Sequence, residues 1–429
     1  MLWIILLAGF AIVGFTAMPL GVGLGLIGLT ILHFLADGAE DLAIQAVWDL
    51  FTSFTMSAAP LYIFMGAILM HSGLSKMLYT AIAPLFERMP GKLLHSNIVV
   101  CTLFGSVSGT SMGTAAAVGS VAYPELRSRG YAARNVVATL AAGGTLGLLI
   151  PPSLSLLIYG AFQGVSIGKL FLAGIAPGVM IALFFMAGIF ITARVDPTVT
   201  PASSPRIPIR QLTINLLKIW PLGLLVFAVL GTIYLGIATP TESAGLGVLV
   251  AVFTGFFWGN LSLRKLWLAF YESVLSFGAI GVIVVGALML AQSISVLGAP
   301  QEVMKAIVAW NLSPYMVLFI VCAIYIVLGC LLDGISLMLM TLPIVYPVMT
   351  GMGFDPVWLG VIIVILIEIG QLTPPVGVNL FVLTAISRGE VSLGQAAKAS
   401  APYWLLMLGA IVVLTVFPGI ALFLPGQLG

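Results

Sequence analysis

The chain has 429 residues, 61% of them hydrophobic and 7% charged, and a mean hydropathy of +1.20. A soluble domain covers itself with roughly a quarter charged residues, so 16 basic and 14 acidic side chains in 45.1 kDa exclude a soluble enzyme and leave lipid around most of the surface. A formal net charge of +2 without a dense basic stripe excludes a nucleic-acid partner.

The segment from Met1 carries no basic flank, its first Lys or Arg being Lys76, and reads as a membrane span, not a cleavable signal. Apolar runs of about 20 residues, the length that crosses about 30 Å of hydrocarbon, fall near 2–18, 19–36, 54–73, 134–166, 169–193, 216–237, 240–260, 275–298, 357–387 and 400–424. Two further regions, 95–124 and 312–349, are apolar but interrupted by small and polar residues, Ser106 to Gly113 and Gly329 to Ser336. Arms of about 13 residues rise about 20 Å, enough to reach the bilayer midplane. The pattern predicts two re-entrant helical hairpins whose tips are buried in protein or line a wet cavity.

Charge placement sets the orientation, because Lys and Arg collect in cytoplasmic loops. With both termini periplasmic, every Lys and Arg except Lys169 and Lys305 falls on the cytoplasmic side. The first hairpin, between Lys92 and Arg127, then enters from the cytoplasm, and the second enters from outside.

Sliding the chain against itself finds an offset of 223 residues. It pairs Tyr123-Pro124 with Tyr346-Pro347, Gly130 with Gly353, Gly147 with Gly370, and Pro151-Pro152 with Pro374-Pro375. Pro19 fits Pro240 at a nearby offset, and acidic Asp41 to Phe51 matches Ser262 to Glu272, which carries Arg264 and Lys265. Opposite charge on equivalent segments is the mark of an inverted repeat. The expected fold is an all-α polytopic membrane protein of the elevator type, with two re-entrant hairpins and two broken helices. Residues 1–195 form the first repeat, with scaffold helices in 1–73 and a transport part over 90–166 that contains hairpin 95–124. A polar, Pro-rich cytoplasmic linker occupies 196–212. The second repeat is 213–429, with scaffold helices in 216–298 and a transport part over 312–387 that contains hairpin 312–349.

Proline lacks an N–H and clashes with the carbonyl four residues earlier. Pro151 and Pro152 therefore release the carbonyls of Gly147 and Leu148, and Pro374 and Pro375 those of Gly370 and Gln371. In hydrocarbon these oxygens need partners, either Ser, Thr and water at a plain kink or a bare cation, for which hard oxygens suit Na⁺. Oxygen-bearing tip residues supply more ligands: Ser106, Ser108, Thr110, Ser111 and Thr114 in the first hairpin, Asp333, Ser336 and Thr341 in the second. The expected Na⁺ ligands are Ser106, Ser108, Gly109, Thr145, Gly147 and Leu148 at one junction, and Asp333, Gly334, Gly370, Gln371 and Thr373 at the other. Half-helices starting after each break, at Ser153 and Val376, aim partial positive charge at the same midplane cavity. That favours an anionic carboxylate, held by Ser108, Thr110, Ser111, Ser153, Asp333, Ser336 and Asn379. An acid inside a membrane marks a pathway, which points to Asp333; the plainer reading is a helix cap. Glu368 is a supporting or a packing residue, and Glu242 a first-turn acid stabilised by its helix dipole.

Enzymatic readings lack parts. His33, His71 and His95 form no HExxH pair, no later span holds a histidine base for Ser108, and no GxxxxGK[ST] loop is present, so an ion gradient must supply the energy. Cys101, Cys322 and Cys330 sit in apolar runs and read as packing residues.

Five motifs in order, Gly105-Ser-Val-Ser-Gly-Thr-Ser111 to Gly130-Tyr131, Gly143 to Pro152, Pro240-Thr-Glu-Ser243, Leu332-Asp-Gly334 and Glu368 to Gly377, resemble the large membrane subunit of TRAP transporters, the tripartite ATP-independent periplasmic family. The resemblance covers nearly the whole chain. It implies a Na⁺-coupled elevator importer of organic acids in the bacterial inner membrane, with Na⁺ at each hairpin–break junction. It also implies two partners, a small four-helix membrane subunit and a periplasmic substrate-binding protein. The unfused large subunit resembles the sialic acid members, and C4-dicarboxylates are the alternative substrate. A divalent-anion/Na⁺ symporter of related fold, which needs no binding protein, and an ion channel are the competing readings.

Overall fold

Long apolar stretches can leave the aqueous phase only with every backbone group paired internally, and the chain answers with helices. The computed structural model describes residues 1–16, 18–201, 213–215 and 217–427. In the first half the helices are α1 (Leu2–Thr16), α2 (Leu20–Leu35), α3 (Glu40–Thr52), α4 (Ala58–Ser72), α5 (Leu74–Ile82), α6 (Leu93–Ser108), α7 (Ser111–Ser128), α8 (Ala133–Thr145), α9 (Leu154–Gln163) and α10 (Ile167–Val195). The second half has α11 (Trp220–Tyr234), α12 (Pro240–Phe257), α13 (Leu263–Val296), α14 (Ala299–Ala309), α15 (Pro314–Gly329), α16 (Gly334–Gly351), α17 (Pro356–Leu372), α18 (Val378–Ile386) and α19 (Leu393–Val416).

The halves correspond element by element, α1 with α11, α2 with α12, and so on to α10 with α19. One departure is informative. In the first half a turn over 53–57, followed by Pro60, separates α3 from α4, whereas the equivalent stretch from Leu263 has no proline and runs as one helix of 34 residues. The amphipathic segment expected at Ser262 to Glu272 is therefore the first third of that helix. Its N-terminus is capped by Ser262, whose hydroxyl accepts the Lys265 N–H.

Two groups of helices follow from what packs on what. α13 lies along α2, α4 and α3, and α12 packs on α4. In the other group α6 and α7 form a hairpin against α8, and α15 and α16 form a hairpin against α17. α17 is the most enclosed element: from Trp358 to Gly370 every residue is buried. α13 is the opposite: Leu268, Val274, Leu275, Val282 and Val296 are exposed, as lipid-facing residues are, while Val284, Leu290 and Ile294 pack inward.

Five helices among the described residues are long and apolar enough to cross a bilayer, including α10, α13 and α19. As the proline chemistry predicts, the apolar run 134–166 is two pieces, α8 and α9, separated at the first Pro-Pro. The run 357–387 is likewise split into α17 and α18 at the second. Both Pro-Pro bonds are cis. Of the expected linker, residues 202–212 lie outside the described residues, as do Arg206 and Arg210.

Glu242 forms a capping box: Thr239 accepts the Glu242 N–H, and the Glu242 carboxylate accepts the Thr239 N–H at 2.8 Å. Of the cysteines, Cys101 is fully buried, Cys322 and Cys330 are partly so, and all three are free.

Candidate functional site: a cavity between two hairpin tips

The tips are tighter than their polar composition suggests. In the first, α6 runs through Ser108, Gly109 takes a left-handed φ of +66°, and α7 starts at Ser111. Only glycine meets that conformation at no steric cost, and a Cβ there would also sit 2.8 Å from the Pro152 carbonyl oxygen. In the second, Cys330 to Asp333 link the arms.

Each tip is joined to the break of its own repeat in the same way. The Gly109 carbonyl accepts the Leu154 N–H at 3.2 Å, and the Cys330 carbonyl accepts the Val376 N–H at 3.1 Å. Residues just past each Pro-Pro thus spend a backbone N–H on the facing hairpin, Leu154 in the first turn of α9 and Val376 just before α18. Gly105 abuts Gly147, and Gly329 abuts Gly370, closely enough that a Cβ on the glycine would overlap the partner backbone.

Beside Gly147 three oxygens converge. Ser108 Oγ lies 2.6 Å from Thr114 Oγ1, which donates to the Thr110 carbonyl at 2.7 Å. A Cβ on Gly147 would fall 2.8 Å from Thr114 Oγ1 and 2.9 Å from the Thr110 oxygen, so the lack of a side chain leaves a small cradle walled by neutral hard oxygen. This donor set fits Na⁺ in kind. At the second junction Thr373 Oγ1 donates to the carbonyls of Ile369 at 3.0 Å and Gly370 at 3.2 Å, with Cys330 Sγ 3.3 Å away.

Several expected ligands are already engaged locally. Ser106 Oγ donates to Leu103 O and Thr145 Oγ1 to Ala142 O, each at 2.8 Å within its own helix. Ser153 caps α9, accepting the Leu156 N–H at 3.2 Å while its hydroxyl donates to the Leu148 carbonyl that the proline had released. Asp333 caps α16, its carboxylate accepting the Ser336 N–H at 3.1 Å, with the side chain still exposed. Gly334 packs against Ile367, where a Cβ would overlap Cγ2 at 2.1 Å. Asn379 bridges the repeats, its Nδ2 donating to Ser111 Oγ at 2.5 Å and to the Ala141 carbonyl at 3.3 Å.

A cavity of about 550 Å³ unites the tips. Ser108, Thr110 and Ser111 line it from the first hairpin, Asp333 and Gly334 from the second, Leu148 and Gln371 from the breaks, and Glu272, Ser273 and Ser276 from α13. Gly66 on α4 completes the wall against the first tip, a Cβ there falling 2.6 Å from the Ser108 carbonyl oxygen. Ser106, Ser153, Ser336 and Asn379 are buried behind the lining, as are Thr145 and Thr373. Among the described residues the Ser336 Oγ and Asn379 Oδ1 atoms have no hydrogen-bond partner, and Glu368 is fully buried.

Ser155 is a lining residue the sequence reading passed over. It stands in the first turn of α9, is fully buried, and its Oγ has no hydrogen-bond partner among the described residues. Its position two residues past the cap Ser153, on the turn that faces the break, was the available signal. Glu272 is another, since the sequence marks it only as the end of the amphipathic segment from Ser262. Its Oε2 lies 2.8 Å from His71 Nε2 on α4.

The family model of the tripartite ATP-independent periplasmic transporter, DctM component, matches residues 7–420. The chain belongs to this family. It is accordingly a multi-pass inner-membrane permease component and not an enzyme, and its family works with a small membrane subunit and a periplasmic binding protein. The permease is 34% identical over 409 residues to the C4-dicarboxylate TRAP transporter large permease protein of Pseudomonas aeruginosa, covering 95% of this chain and 94% of that one. It is 34% identical over 377 residues to the ectoine/5-hydroxyectoine TRAP transporter large permease protein of Ruegeria pomeroyi, covering 86% of each. Among solved structures, the YdaH transporter of Alcanivorax borkumensis shares the fold, with a TM-score of 0.61 over 91% of both chains and 16% identity.

Proposed function

We propose that this permease imports an organic acid by Na⁺-coupled elevator transport, receiving it from a periplasmic binding protein and working with a small four-helix membrane subunit. The observation that carries the reading is the convergence of both hairpin tips and both broken helices on one cavity. Ser108, Thr114 and the Thr110 carbonyl beside Gly147 would hold one Na⁺, and the Asp333, Gly370 and Thr373 neighbourhood a second. Bound Na⁺ supplies positive charge that neutral tip oxygens lack. The chain's own residues do the rest: Ser155 Oγ and the N-termini of α9 and α18 orient a carboxylate, and Asn379 ties the first tip to the second repeat so that ordering one orders the other.

In this reading α6–α9 and α15–α18 move together against α1–α4 and α11–α13, and both termini are periplasmic. The test is uptake by the assembled transporter in proteoliposomes under an inward Na⁺ gradient. Asp333→Ala and Thr373→Val should abolish uptake while membrane insertion persists. Equal uptake with choline in place of Na⁺ defeats the coupling, and normal transport by Asp333→Ala redraws the second ion site. Reporter fusions at each end test the orientation.

A further inference from the structure

Two acids, Glu272 and Asp333, line the cavity, and among the described residues no Lys or Arg does; His71 on α4 engages one Glu272 oxygen at 2.8 Å. The Glu272 carboxylate, which lines the cavity, can accept a hydrogen bond there. A favourable place for a carboxylate is the first turn of α9, where the Ser155 hydroxyl lines the cavity, is buried, and has no hydrogen-bond partner among the described residues.

From this wall we infer that the transported solute is a monocarboxylate of net charge −1 or 0 that also carries a hydrogen-bond donor or cationic group. Its carboxylate is received at Ser155 and its donor group at Glu272; dicarboxylates are disfavoured. This rests on the permease reading above and narrows its substrate class. A volume of about 550 Å³ is about 10 Å across if spherical, no more than about one screening length, so a second carboxylate finds no place remote from both acids. Two bound Na⁺ would only cancel the wall acids, leaving a dianion uncompensated and a zwitterion balanced. At an effective dielectric near 20, a like charge about 5 Å away weakens binding by at least tenfold. Glu272 acts on selectivity through charge from its place in the cavity wall.

The experiment is binding to the purified permease with its small subunit, in NaCl and in choline chloride, which bypasses the binding protein's own selectivity. The probes are succinate as dianion, gluconate as hydroxylated monoanion and ectoine as zwitterion. In NaCl, gluconate or ectoine should bind at least tenfold tighter than succinate, and Glu272→Gln should narrow that ratio about tenfold. Ser276→Lys, one helical turn along the same face, gives an independent route and should raise succinate affinity by a similar factor.

Succinate binding as tightly as the better monocarboxylate overturns the inference, as does an unchanged ratio in both folded variants, or binding of none of the three. Tight Na⁺-dependent succinate binding would do so while upholding Na⁺ coupling. Equal affinities in NaCl and choline chloride would instead defeat the coupling, whatever the ranking of probes.

Discussion

Gly105 on the first hairpin meets Gly147 at the first break backbone to backbone: a Cβ on Gly105 would lie 2.6 Å from the Gly147 Cα. Gly329 and Gly370 repeat the relationship in the second half, a Cβ on Gly370 falling 2.8 Å from the Gly329 Cα. Close approach lets a hairpin arm lie against the helix that ends at the break, which brings tip oxygens to the freed carbonyls.

Gly105→Ala and Gly370→Ala should each cost about 1–3 kcal/mol, as overpacking against backbone does, and should abolish uptake. Gly409 on α19 has open space around its Cβ position, so Gly409→Ala should leave both unchanged or slightly raise stability. Thermal unfolding in detergent and vesicle uptake read the contrast; equal behaviour of the three variants would remove the packing argument.

Ser155→Ala deletes a hydroxyl that has no hydrogen-bond partner among the described residues. Unfolding temperature should hold, while KM for the transported acid rises about tenfold, the scale of one hydrogen bond to a charged group. A large fall in stability with unchanged KM would make Ser155 a packing residue.

Asn379→Ala breaks the link between Ser111 and the Ala141 carbonyl and should cost about 1–3 kcal/mol, because buried groups lose their partner. Asn379→Asp should fare no better, since a carboxylate cannot donate to either oxygen. The check is thermal unfolding together with protease sensitivity of the first hairpin.

At the end of the first hairpin remote from its tip, Arg127 Nε donates to Glu390 Oε2 at 2.7 Å, and Tyr123 OH to the same oxygen at 2.9 Å. The hydrogen bond from Arg127, then that from Tyr123, holds the Glu390 carboxyl below its ordinary value of 4.5. A depressed pKa stabilises fully above the unfolded value and is lost as pH falls through the folded one. Wild-type protein should therefore lose more thermal stability than Glu390→Gln between pH 7 and pH 3.5, and the two should converge at the acid end. Parallel curves would show that the contact contributes nothing.

The two hairpins and two breaks were legible because each has a one-dimensional signature: arms too short to cross, polar tips, and Pro-Pro after a glycine at a constant offset. The joined helix from Leu263 to Val296 was less so, because an amphipathic arm and a span look alike whether or not a turn separates them. Among the ligand candidates, Ser106 and Thr145 show the limit most clearly. Their hydroxyls bond carbonyls three residues back, a choice that residue type and spacing leave open.

By itself the sequence determined the solvent, the inverted repeat and the neighbourhood of the site, since hydropathy, proline chemistry and glycine spacing act along the chain. Only the tertiary structure decided which oxygens are spent and which are free. Ser153 is consumed by Leu148, whereas Ser155 two residues later faces the cavity unpartnered, and Glu272 joins the wall because α13 passes it. Hydrogen-bond satisfaction depends on what another segment brings within about 3 Å, and no single segment carries that information.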